Sequence, residues 1–303
     1  MTSKKYFKEF RNETLGDKTF DICVYGLVLL AVVVTLYPFI YVTSVSLSSG
    51  AAVNKGLVKL FPVDFDTSAY KMVVQYKELW RSYYNTIIYT VTGTFANIVF
   101  TCLAAYPLSR KRFFLRRKLS FLLAFTMYFS GGLIPMYMVV TGIGLYNSRL
   151  AMIMPVLVSA YNVMICRSAF ESISEELFEN ASLEGANDFT ILTKIAIPLI
   201  KPTLAVLTLY YAVARYNDFF SGLLYLGKES LQPLQLFLRR ILLMASTEIM
   251  QNAGGGVAQD AIAQSTIQIR YVCIVLASVP IILLCPFIQK YLVKGTMLGA
   301  VKG

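Results

Sequence analysis

The chain has 303 residues, 56% of them hydrophobic and only 15% charged, with a mean hydropathy of +0.60. Soluble domains hold roughly 45–50% apolar and about 25% charged residues, so this composition excludes an ordinary soluble enzyme. It contains no histidine, which rules out His-based triads, His general bases and His metal ligands. The net charge of +11 would suit nucleic acid, but the basic residues flank long apolar runs, where they set membrane topology, so no nucleic-acid partner is expected.

In chain order, residues 1–21 form a charged N-terminal segment, expected in the cytoplasm. The apolar run that follows is too long for a cleavable signal and reads as a retained helix. Apolar runs at about 22–44, 84–109, 119–141, 149–169, 203–225 and 270–292 predict six transmembrane helices, an all-α membrane protein with a single domain over 22–303. At about 1.5 Å per residue, 20 residues cross a hydrocarbon core of about 30 Å. Lys4, Lys5, Lys8, Arg11 and Lys18, the cluster Arg110, Lys111, Arg112, Arg116, Arg117 and Lys118, and Lys290, Lys294 and Lys302 then share one face. That face is expected to be the cytoplasm, with both termini on it. The long connections 45–83 and 226–269 fall on the opposite face. The five cysteines lie in or beside apolar runs without a CxxC pair and read as small packing residues.

Between the fourth and fifth spans, residues 170–202 carry Glu171, Glu175, Glu176, Glu179, Glu184 and Asp188 on the cytoplasmic side. Ser172 to Leu183 is rich in helix formers, Gly185 can supply a helix-ending positive φ, and Asn187 or Asp188 can cap a second helix. Pro198 and Pro202 interrupt that helix where the fifth span begins. The pattern predicts a helix–turn–helix elbow over about 172–200, projecting from the membrane.

Glu179, Ala181, Gly185, Ala186, Ile195 and Pro198 stand at the places of the signature of ABC importer permeases, and the chain resembles that family. Asn180 and Glu184 depart from the signature's second Ala and its usual Asp, and Tyr216 stands where Trp is frequent, without removing the elbow. Ala104 to Arg110 is similar to the family's A-Y-x-L-S-R, and Phe129 to Pro135 and the ending 289–302 are similar to the maltose-permease-like branch for complex, polymer-derived sugars. The resemblance implies a type I importer permease fold in the bacterial cell membrane, importing a sugar or oligosaccharide. It implies an elbow that couples to the ATPase, and, as partners, a second permease, two ATPase subunits and an extracytoplasmic sugar-binding protein. No reaction and no cofactor are expected on this chain, ATP and Mg²⁺ belonging to the partner ATPase.

Gly222 to Lys228 formally fits a phosphate loop, but Glu229 follows where Ser or Thr should bind Mg²⁺, and the segment ends an apolar span. A secondary transporter would need an inverted repeat, which is absent from the sequence, and a membrane enzyme would need a motif such as HExxH or GxSxG. Within the fifth span, Tyr211, Arg215 and Asp218 follow i, i+4, i+7 spacing and share one helix face, with Asn217 beside them. Charges in a span are costly in lipid, so this face predicts either a sugar-path lining or a structural Arg215–Asp218 pair.

Overall fold

The structure is a computed structural model and describes residues 15–251, 268–280 and 282–283. Among these the chain is helical, without a strand beyond one isolated bridge between Ser48 and Phe65. Contacts divide it into two units, Met1–Val73 with Ala245–Val275 and Val74–Met244 with Leu276–Gly303. The sixth span falls partly, and the ending 289–302 wholly, outside the described residues.

In the first unit, α1 (Leu15–Ser46) begins seven residues before the predicted span, and its apolar side chains are largely exposed, as suits a lipid-facing helix. Pro38 lies inside it. Hydroxyls along the spans donate back to the preceding turn, Thr35 to the Ala31 carbonyl at 2.6 Å and Thr43 to Phe39 at 2.8 Å. Such bonds are how a polar side chain is satisfied where water is absent. The end of α1 packs with α2 (Gly50–Asn54) through Val45, Ala52 and Val58. Ser44 bonds the Leu60 carbonyl at 2.7 Å. Asp66 accepts from both the backbone N–H and the hydroxyl of Ser68 as α3 (Ser68–Gln75) begins, and these bonds hold its carboxyl below the usual range.

The second unit is organised around α4 (Lys77–Ser109), which packs against α7 (Ala160–Glu171) and α10 (Lys201–Tyr216). The three remaining spans of this region are all broken. The third is α5 (Arg116–Tyr128) and α6 (Leu133–Gly142), bent by 114°. Its hinge is Phe129 to Gly132, where Gly132 has φ +86°, a conformation that costs an L side chain strain. The fourth opens as two 3₁₀ turns, Arg149–Met152 and Met154–Val156, before turning by 56° into α7. The connection onward is α8 (Glu175–Leu183) and α9 (Asp188–Leu199), and an 85° bend joins α9 to α10. The fifth span breaks again at Asn217–Phe219 before α11 (Phe220–Tyr225). Within the predicted loop after it, Leu234–Gln251 are helical, as α12. Apolar length alone predicts straight spans; Gly131-Gly132, Pro155 and the polar Asn217-Asp218 pair are what interrupt them. The last described helix is α13 (Gln268–Pro280). Within the second unit, Tyr216 donates its hydroxyl to the Ala277 carbonyl at 2.8 Å.

Candidate functional site: the elbow and the broken spans

The elbow end of the second unit is built on a core of Tyr106, Phe170, Phe178, Ala181, Ile191, Leu192 and Ala196. The predicted helix from Ser172 is in fact interrupted: α7 ends at Glu171, Ser172–Ser174 turn the chain, and α8 starts afresh at Glu175. α8 ends as the sequence requires. Gly185 takes φ +85°, its N–H bonds the Ser182 carbonyl at 3.1 Å and the Ala186 N–H bonds the Ala181 carbonyl at 3.0 Å. This is a Schellman cap with glycine in the left-handed position. Asn187 then caps α9, accepting from the Thr190 N–H at 2.8 Å. A π-helical turn at Ile191–Ala196, which includes Ile195, leads to Pro198 at the final turn. Ala181 is buried and Ala186 and Ile195 pack against the core, whereas Glu179 points outward.

The basic loop after α4 grips this elbow, a relationship that topology rules alone do not reveal. The guanidinium of Arg110 is only 4% exposed, lies 3.6 Å above the Phe178 ring and donates to the Phe170 carbonyl at 3.0 Å. Burial lowers its proton affinity and Glu175, 3.9 Å away, partly restores it. Arg112 pairs with Asp188, and Arg116 and Arg167 reach Glu171 at 2.6 and 3.0 Å. The acidic run and the basic run, assigned to one face by counting spans, are therefore mutual partners. Signs and parity together could have suggested this. A pocket of about 610 Å³ opens among Tyr106, Arg110, Arg112, Glu175, Phe178 and Glu179. Beyond the charges, Leu183 and Phe189 flank the turn at 85% and 68% exposure.

The fifth-span face is a different kind of site. Arg215 is 6% exposed, and its guanidinium donates to the Asn97 side-chain oxygen and to the Ile153 and Val156 carbonyls, at 2.9 to 3.1 Å, and also to the Met152 carbonyl. Asn97 in turn donates to the Val156 and Leu157 carbonyls at 2.8 and 2.7 Å. These carbonyls belong to the 3₁₀ turns before α7 and to the residues beside them. In lipid, such backbone persists only if protein satisfies it. The Tyr211 hydroxyl bonds Thr101 at 2.8 Å and accepts from the Ser159 N–H at 3.3 Å. The Arg215–Asp218 ion pair, one of the two readings of this face, does not form among the described residues. Asp218 instead accepts from the Ser221 N–H at 3.0 Å, and Asn217 lies exposed. The spacing puts Tyr211 and Arg215 on one helix face, but the helix ends at Tyr216, so Asn217 and Asp218 lie in the break after it. Sequence reasoning missed Asn97, whose only signal is an uncapped amide inside an apolar run.

A bundle of bent apolar spans with its backbone breaks buttressed by side chains, and a charged elbow at one end, defines a polytopic transport protein. Residues 85–297 match the family described as the binding-protein-dependent transport system inner membrane component, and the chain belongs to that family. It is a permease subunit of an ATP-binding-cassette importer, with the all-α type I fold, and not a member of an enzyme family. It is 35% identical over 289 residues to the polygalacturonan/rhamnogalacturonan transport system permease YtcP of Bacillus subtilis (strain 168), covering 95% of this chain and 100% of that one. Protein LplC of the same organism is 34% identical over 294 residues, 96% of this chain and 98% of LplC. Among solved structures, a chain of a bacterial ABC transporter involved in the import of the acidic polysaccharide alginate superposes with a TM-score of 0.82 at 36% identity, over 92% of this chain and 98% of that chain.

Proposed function

We propose that this chain forms one half of the pore of a sugar-oligomer importer, pairs with a second permease, and is driven through its elbow by two ATPase subunits that bind ATP and Mg²⁺. The observation that carries this reading is the elbow: a rigidly capped turn, fastened to the permease on its inner side and apolar at its outer tip. Glu179, Ala181, Gly185, Ala186, Ile195 and Pro198 shape that contact, Ala181, Ala186 and Ile195 from behind and Glu179 from the docking surface. The sugar-transport names of the similar permeases support an oligosaccharide cargo, delivered by an extracytoplasmic binding protein. On this reading the elbow end and both termini face the cytoplasm.

Asn217 and Asp218, at the break after α10, border the sugar path. Tyr211 and Arg215 act behind them as positioning residues, holding the backbone of the broken fourth span.

Reconstitution tests the whole. With the binding protein, second permease and ATPase from the neighbouring genes, proteoliposomes should take up labelled oligosaccharide only with ATP inside the assembly's ATPase side. A cysteine at Leu183 should cross-link to the ATPase, and one at Ser68 should be labelled from outside intact cells. Cross-linking of Leu183→Cys to anything other than the ATPase, or labelling at Ser68 only after lysis, overturns the assignment of the elbow or of its side.

A further inference from the structure

The basic loop after α4 carries more charge than the elbow engages. Residues 110–118 hold six cations, Arg110, Lys111, Arg112, Arg116, Arg117 and Lys118. Arg110, Arg112 and Arg116 meet Phe178, Asp188 and Glu171 at the elbow end, and Lys111 lines the pocket there. Arg117 and Lys118 are exposed and have no ion-pair or hydrogen-bond partner among the described residues. They sit in the first turn of α5, which holds no acidic residue, and cations there oppose the helix dipole. The rule that concentrates Lys and Arg on one side of a membrane explains their side but not their place.

That place is specific. Arg117, Lys118, Phe121, Leu122 and Phe125 share one face of α5 by their helical spacing, and all five are exposed. The opposite face packs on the unit, through Leu123 and through Arg116 on Glu171. Just before the helix, Phe113 packs against the elbow-end core while its neighbour Phe114 is 85% exposed. Phe121, one turn beyond the two cations, is 73% exposed. The cations therefore lie between two outward phenylalanine rings, at the end of an apolar stripe. Acyl chains suit the stripe, and long cationic side chains at its end reach headgroups while their stems stay on apolar surface. A soluble subunit would leave the stripe in contact with water along its length. A zwitterionic headgroup would leave both charges unbalanced, and an anionic one balances them.

We infer that Arg117 and Lys118, with Phe114 and Phe121, form a binding surface for anionic phospholipid in the leaflet on the elbow side, and that headgroups held there steady the elbow and raise the efficiency of coupling. The effect on coupling rests on the elbow reading above. The connection is short: Arg117 adjoins Arg116, and Arg116 holds Glu171, where α7 ends and the turn into the elbow begins. A headgroup on one residue thus restrains the neighbour that fastens the elbow.

The complete importer, with its binding protein, is reconstituted in phosphatidylcholine vesicles containing increasing phosphatidylglycerol, and the sugar moved per ATP hydrolysed is measured. The ratio should rise with phosphatidylglycerol, and phosphatidylserine should act alike, because charge is what the surface reads. Arg117→Gln with Lys118→Gln leaves four of the six cations to fix topology. This variant should lose most of the response, each cation contributing roughly fivefold to partition onto an anionic surface. Arg117→Lys with Lys118→Arg should keep the response, and Phe114→Ser should weaken it. No response of the unaltered importer, or an equal response in the Gln variant, overturns the inference. So does a response that soluble glycerol phosphate reproduces in phosphatidylcholine alone. Loss of the ATPase or of the second permease when the Gln variant is purified also overturns it, since the face would then belong to that subunit. Failure of Leu183→Cys to cross-link to the ATPase overturns the elbow reading separately. The lipid surface is then decided by mass spectrometry of retained lipid, in which the unaltered complex should hold more phosphatidylglycerol than the Gln variant and equal amounts would refute it.

Discussion

Arg215 and Asn97 meet in the interior of the second unit, both nitrogens Nε and Nη2 of the arginine lying 3.1 and 2.9 Å from Asn97 Oδ1. Together they supply donors to four consecutive-region carbonyls, Met152, Ile153, Val156 and Leu157, on a stretch that has abandoned α-helical bonding. A charge that would be costly in lipid is thus used to make a backbone break tolerable there.

If this is the role of Arg215, exchanging it with Asp218 cannot be neutral. Arg215→Asp with Asp218→Arg sets a carboxylate against carbonyl oxygens and removes the donors to Met152 and Ile153. We expect the exchanged protein to fail to assemble with the ATPase, and Arg215→Lys, which keeps the charge but loses the fork, to lose roughly 1–3 kcal/mol of stability. Thermal unfolding in detergent measures the second. A Lys variant as stable as the original would contradict the clamp.

Gly93 is the counterpart of that clamp. A Cβ there would stand 3.0 Å from Arg215 Nε and 3.4 Å from its Cδ. Gly93→Ala should therefore cost on the order of 1–3 kcal/mol through overpacking, although alanine is the better helix former. In an Arg215→Lys background, where the guanidinium is gone, the added cost should shrink. Independent, additive effects in that double-mutant cycle would dissociate the two positions.

At the elbow the strain is conformational and not steric, because nothing lies within 4 Å of a Cβ added to Gly185, yet its φ is +85°. Gly185→Asn should keep transport close to normal, since asparagine visits the left-handed region, whereas Gly185→Val should uncouple ATP hydrolysis from transport. The ratio of sugar moved to ATP hydrolysed distinguishes them. Normal coupling in Gly185→Val removes the turn from the mechanism.

The loop that grips the elbow should be energetically uneven. The Arg112–Asp188 pair is exposed on both sides and is expected to contribute only about 0–1 kcal/mol. Arg110 is buried against Phe178 and the Phe170 carbonyl, so Arg110→Ala removes packing and a charge-assisted bond at once. Protease sensitivity of the elbow should rise in Arg110→Ala and stay nearly unchanged in Arg112→Ala. The reverse order would mean that the surface pair, not the buried one, holds the elbow.

Much of this was legible in the sequence. The apolar runs locate the spans, and the spacing from Glu179 through Gly185 to Pro198 locates the elbow turn and its two helices. What escaped is where a local element yields to its neighbours. The runs at 119–141 and 149–169 read as single helices because hydropathy carries no information about axis direction, whereas Gly132 and Pro155 break them. The i, i+4, i+7 register of Tyr211, Arg215 and Asp218 holds only while the helix lasts, and it ends at Tyr216. Asn97 could not be identified at all, because its partners, the carbonyls freed at 152–157, exist only once the fourth span has unwound.

The 85° corner between α9 and α10 makes these two helices a bell crank. α9 is the short arm, lying crosswise, and α10 the long one, 16 residues or about 24 Å from end to end. On the proposed reading, a sideways displacement of the elbow tip would swing the far end of α10, and Arg215 sits near that far end with its guanidinium fastened to the fourth span. Two spans would then be geared to one input. On that reading, slack anywhere in the linkage, at the corner, at the clamp or at the grip of Arg110, would spend the stroke before it reached the pore.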